Sequence, residues 1–114
     1  MDSSMGTLRQ VIDFCLTLPE VYEDYPFGEG TALMRHTTTR RGFALIMLVR
    51  GEPCVNLKCD PEKAAFLRGL YTGVIPGYHM NKRHWNTIRL GSDVGDEELK
   101  DMILHSYDVT KKKN

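Results

Sequence analysis

Residues 43–49, FALIMLV, are the longest unbroken apolar run in the chain, and a turn brackets each end: RRG at 40–42 and GEP at 51–53. A run this short cannot cross a bilayer, which takes roughly 20 residues, so it must be covered within a fold. A continuous apolar run between turn signals fits a central strand covered on both faces, although periodicity alone also admits a buried helix. The neighbouring segments favour the strand. TALMRHTTT (31–39) alternates loosely and is rich in β-branched residues, and CVNLKC (54–59) follows the second turn. The short turns join the three segments into an antiparallel meander.

Helices flank this meander. Thr7 is placed to cap a first helix whose apolar stripe is Leu8, Val11, Ile12, Cys15 and Leu16, at spacings of three and four, with Pro19 ending it. EVYEDYPFGEG (20–30) reads as a short extended piece and a turn. Asp60-Pro61-Glu62 is a helix start, with a cap, a proline at the first position and an acid in the first turn. That helix carries Ala64, Phe66, Leu67 and Leu70. A loop, YTGVIPGYHMNKR (71–83), leads into a last strand, HWNTIRL (84–90). Asp96 caps a final helix with Leu99, Met102, Ile103 and Tyr107 on its stripe. The expected order is α-β-β-β-α-β-α, an α+β two-layer sandwich with an antiparallel sheet and its helices on one face.

The 114 residues fit one domain over 1–114, with loose ends at MDSS and KKKN. Formal net charge is zero, so there is no global basic field and any nucleic-acid contact must come from a local patch. The three cysteines, an odd number, argue against a secreted disulfide framework. The N-terminus lacks the basic-then-apolar order of a signal peptide. A cytoplasmic protein with no membrane segment is expected.

Alternate residues of a strand point to opposite faces. If Ile88 and Leu90 face the helices, Trp85, Thr87 and Arg89 face away; likewise Val55 and Leu57 point inward, and Asn56 and Lys58 outward. With Arg35, a flat outer face then carries Arg35, Asn56, Lys58, Trp85, Thr87 and Arg89. Cations beside an aromatic ring suit phosphate contact and base stacking. The competing reading is structural: Trp85 packs at a sheet edge and the cations are solvated strand residues.

Other chemistry finds less support. His79/His84 and Cys54/Cys59 do not have the spacing of a compact zinc site, and no metal is expected. Cys15 reads as a small core residue, and no nucleophile signature occurs. Glu20, Glu23 and Asp24 read as a solvated acidic turn rather than an acid–base pair. GEG at 28–30 is not a phosphate loop, since no third glycine or helix follows. The densest basic cluster is KRH at 82–84.

EDYPFG (23–28), the FALIMLV and CVNLKC strands, DPEKAAFLRG (60–69) and above all GYHMNKRHWNTIRL (77–90) resemble the MmcQ/YjbR family over nearly the whole chain. The resemblance implies an α+β fold similar to bacterial frataxin, CyaY-like, likened to a double-wing DNA-binding arrangement. It makes Asn81, Lys82, His84 and Trp85 signature positions, with Pro26 and Phe27 in the earlier turn. It implies a DNA-binding protein, and because the residues show no catalytic constellation, a non-enzymatic module without a cofactor is expected. Together with the face reading, the expected contact residues are Lys58, Asn81, Lys82, Arg83, His84, Trp85 and Arg89, in a monomer that binds DNA weakly and in a salt-sensitive way. The alternative is a protein-interaction or small-ligand module anchored on Trp85. Iron handling of the frataxin kind fits poorly: the first helix holds one acid, Asp13, whereas hard cations need several converging oxygens.

Overall fold

The 43–49 run is a strand, and the chain builds a six-stranded sheet around it. In chain order the elements are α1 (Leu8–Leu16), β1 (Val21–Asp24), β2 (Ala32–His36), β3 (Gly42–Val49), β4 (Glu52–Lys58), α2 (Pro61–Leu70), β5 (Val74–Pro76), β6 (Trp85–Arg89) and α3 (Asp96–Lys111). The computed structural model describes residues 4–111; the outermost residues of the expected loose ends, 1–3 and 112–114, lie outside the described residues. Sheet order is β1-β2-β3-β4-β6-β5, antiparallel throughout. The α+β class and the antiparallel meander are as expected.

Two strands correct the expected order to α-β-β-β-β-α-β-β-α. The extended piece after Pro19 is β1, which pairs Val21 with His36 and Asp24 with Leu33. The 71–83 loop contains β5, which pairs Val74 with Ile88 and Pro76 with Asn86 at the sheet's far edge. An edge tolerates Pro76, because a proline offers no N–H to a further strand.

The core lies on one face. Ala32, Met34, Ala44, Ile46, Val55, Leu57, Val74 and Ile88 share a buried cluster with Val11, Ile12 and Cys15 of α1, Ala64 and Leu67 of α2, and Met102, Ile103 and Tyr107 of α3. Each Val, Leu, Ile or Met side chain among them, fully buried, stabilises the fold by about 1.5–3 kcal/mol relative to exposure. α1 begins as expected. Thr7 Oγ1 accepts from Gln10 N at 3.1 Å, and the Gln10 side chain accepts from Thr7 N at 3.1 Å, which closes a capping box.

Three helix details refine the sequence reading. Phe66 and Leu70 on α2 are 65% and 55% exposed. At 3.6 residues per turn, Ala64 and Leu67 meet the sheet while Phe66, two residues beyond Ala64, points well away from it. Leu16, at the end of α1, is also exposed. Asp96 is the first residue of α3 rather than its cap, and its carboxylate accepts from Met5 N at 3.2 Å.

α3 is fastened to the sheet by polar contacts inside the core. Ser106 Oγ accepts from Lys58 N (2.9 Å) and donates to Phe43 O (2.6 Å), so one hydroxyl bridges β3 and β4. The Thr110 hydroxyl donates to Ser106 O, and His36 Nε2 lies 2.8 Å from Thr110 Oγ1. With that hydroxyl proton committed, His36 Nε2–H is the donor. Its buried ring packs against Phe43 and Tyr107, with centroids 5.2 and 4.8 Å away.

Candidate functional site

Register on β4 and β6 brings the expected outer face together. Lys58 is the direct partner of Trp85, Asn56 of Thr87, and Cys54 of Arg89. None of these joins the helix-side cluster, so the parity reading of both strands holds. Arg35 shares that face on β2, two residues from Leu33, which pairs with Leu45 and through it with Asn56.

The face is neither flat nor uniformly polar. Asn56, Thr87 and Cys54 are fully buried, and Leu45 beside them is nearly so. Residues 77–84 fold back over the strand that follows them. Tyr78 N donates to Thr87 Oγ1 at 2.8 Å, and the Thr87 hydroxyl donates to Asn56 Oδ1. Gly77 N donates to Trp85 O at 2.9 Å, and Trp85 N donates to Asn81 O at 2.9 Å. A side chain at 77 would bring its Cβ to 2.8 Å from Trp85 Cβ, so this close approach needs glycine. His79 turns the loop with φ of 58°. The expectation that Asn56 and Thr87 offer contacts is therefore corrected: their polar groups face each other under the loop. Asn56 Nδ2 is buried without a partner among the described residues.

The seven expected contact residues fall into two groups. Lys58, Trp85 and Arg89 stand half-buried on the sheet face; Asn81, Lys82 and Arg83 are exposed on the loop, with His84 half-buried at its end. Several already have partners. Lys82 Nζ donates to Gly77 O at 2.9 Å. Asn81 Oδ1 accepts from Arg83 N at 2.9 Å, which shapes the turn. Arg89 reaches Glu52 at 3.5 Å, an exposed pair of small energetic weight. Arg35 is tied to Asp24 at 2.7 Å and to Arg40 O at 2.8 Å, which takes it out of the cluster. The side chains of Lys58 and Arg83 hold no ion pair among the described residues.

The remaining chemistry-bearing groups are structurally committed. All three cysteines are free and buried. Burial pushes the Cys15 thiol up to about 12 and raises Cys54 and Cys59 as well, which disfavours thiolate. Glu23 is held below its ordinary value, chiefly by the Tyr25 hydroxyl and then by Arg9. No group of three or more His, Cys, Asp or Glu side chains placed to hold a metal occurs among the described residues. No helix among them is long and apolar enough to cross a membrane.

One residue escaped the sequence reading. Asn86 sits on the inward parity of β6 beside Ile88 and is 2% exposed. The signal was present, an amide side chain at a position where parity demands an apolar one. Its Nδ2 donates to Ala64 O at 3.3 Å, and its Oδ1 is buried without a donor among the described residues.

Comparison with known proteins places this architecture. The chain is 35% identical to YbdF of Escherichia coli O157:H7 over 94 residues, covering 82% of this chain and 75% of YbdF. It is 35% identical to YyaQ of Bacillus subtilis over 100 residues, covering 77% of this chain and 84% of YyaQ. Among solved structures it is similar to protein DR2400 of Deinococcus radiodurans, with a TM-score of 0.85 at 32% identity over 96% of this chain and 81% of that one. A protein from Pseudomonas syringae gives a TM-score of 0.83 at 29% identity, over 90% of this chain and 97% of that one. Residues 16–109 match the YjbR family model, and the chain belongs to the YjbR family.

Proposed function

We propose that this protein is a non-catalytic DNA-binding module that contacts phosphate through the 77–84 loop and the adjoining sheet face. One observation carries the reading: Lys58 lies directly opposite Trp85 on the face that no helix covers, with Arg83 a short step away on the loop. Two cations without ion-pair partners beside a half-exposed indole form a small site for a phosphate and a stacked base. Lys82, His84 and Arg89 border it, and Asn81 sets the turn that presents Arg83. Zero net charge makes the binding weak, because no global field adds to the local contacts.

The test is a fluorescence titration of Trp85, the chain's single tryptophan, with short duplex and single-stranded DNA at several salt concentrations. With three or four phosphate contacts, log affinity falls with log salt at a slope of about −3. Lys58→Ala makes that slope shallower by about one while leaving stability within about 0.5 kcal/mol of the parent. Quenching that ignores salt points instead to an apolar anchor, and the reading becomes a protein- or small-ligand-binding module centred on Trp85. No quenching with either DNA overturns the DNA-binding reading.

A further inference from the structure

The sheet register adds a second aromatic ring to the outer face. Val21 packs against the core and Glu23 meets Arg9 of α1 at 3.3 Å, so the alternate residues of β1, Tyr22 and Asp24, project to the face without helices. Across the sheet, Tyr22 pairs with Arg35, Arg35 with Gly42 and Lys58 with Trp85; the pairing of Ala44 with Leu57 sets Gly42 close to Lys58. One band thus crosses β1, β2, β3, β4 and β6 with a half-buried ring at each end. Four strand spacings separate the rings, roughly 19 Å.

The floor between the rings is apolar. Leu33 lies over Gly42, where an added Cβ would meet Leu33 Cδ1 at 2.5 Å, and Leu45 is the partner of Leu33 on the next strand. Arg35 is neutralised by Asp24 at 2.7 Å, which leaves Lys58 as the band's cation without an ion pair among the described residues. The opposite side of the molecule repels polyanions, since α3 exposes Asp96, Glu97, Glu98, Asp101 and Asp108. A duplex keeps its base faces stacked inside and its phosphates outside, so on this band it would set charge against leucines and offer the rings nothing. A single strand can turn its bases to the sheet and keep its phosphates at the rim.

Resting on the DNA-binding reading above, we infer that the ligand is single-stranded DNA, laid across the strands from Trp85 to Tyr22. A base stacks on each ring, and a phosphate meets Lys58.

The experiment titrates the full chain into three end-labelled probes at low salt, followed by fluorescence anisotropy: an oligothymidylate, an abasic strand of the same length, and a hairpin duplex. The oligothymidylate is expected to bind about ten-fold or more tightly than either of the others, since stacking carries much of the affinity. Tyr22→Ala is expected to weaken the oligothymidylate by about ten-fold and to leave the duplex unchanged, while Tyr22→Phe, which keeps the ring, holds the parent affinity. Duplex binding as tight as single-strand binding overturns this inference and leaves the DNA-binding reading standing; binding to none of the probes overturns both. Equal affinity for the abasic strand overturns the stacking, and does so on the unaltered chain, whether or not Tyr22→Ala folds. Unchanged single-strand affinity in a folded Tyr22→Ala overturns the band as the path of the strand.

Discussion

The two faces of the β4–β6 pair bury the same kind of residue by different means. Asn56 lies under the outer face and Asn86 under the helix face, one register step apart, and each keeps one amide end without a partner among the described residues. Asn86 is covered by side chains from helices far away in sequence. On the outer side, Tyr78 and its neighbours, only nine residues from Thr87, close over the Thr87–Asn56 pair through a few hydrogen bonds. Depth of burial is therefore a poor guide to permanence. A helix layer opens only with the fold, whereas a short loop opens locally at lower cost.

The sharpest way to break this comparison is to damage each face separately. Ile88→Ala hollows the helix side, where Ile88 is 1% exposed, and is expected to destabilise the protein by about 2–5 kcal/mol. Urea unfolding followed by several probes should show one common shift in midpoint. Thr87→Val keeps the shape on the outer side but removes both the acceptor for Tyr78 N and the donor to Asn56. A loss of about 1–3 kcal/mol is expected, together with faster exchange of the Tyr78 amide at conditions where the core amides stay protected. If core and loop amides exchange together in Thr87→Val, the outer cover is part of the global unit and the contrast fails.

A smaller effect comes from pH. Burial, with Lys111 and Arg41 adding to it, holds His36 below its ordinary value of 6.5. His105 is also depressed, first by burial and then by Lys63, while Asp60 and Asp108 oppose. The unfolded chain binds protons at both positions before the folded one does. Stability is thus fully present above about pH 6.5 and falls as pH drops from there toward the depressed folded values. Thermal unfolding between neutral and mildly acid pH measures this decline. His36→Gln should flatten part of it, and His36→Gln with His105→Gln most of it.

Much of this molecule was legible in the sequence, for reasons that mark where legibility stops. The parity of CVNLKC and HWNTIRL sorted Val55, Leu57 and Ile88 from Lys58, Trp85 and Arg89 correctly, because a period of two leaves little choice once one residue is assigned. β1 and β5 were missed as strands. They hold four and three residues, too few for a periodic signal, and they exist because a neighbouring strand offers a pairing edge. Which of Ala64, Phe66, Leu67 and Leu70 turn inward was not legible, since a short helix with scattered apolar residues leaves its inward face to tertiary packing. The loop over Thr87 was not visible at all: Gly77 and Tyr78 read as turn residues, and nothing in the string of letters indicates that they fold back onto the strand they precede.

The sheet order also spreads the cost of chain closure unevenly. β1 to β4 are joined to their neighbours by short connections, so their pairings close small loops. β4 meets β6 only after α2 and β5 have intervened, with Asn56 and Thr87 separated by 31 positions. That junction carries the larger chain-closure entropy and joins the two halves of the domain. The outer-face site rests on this pair, so a chain that has formed only its meander does not carry it.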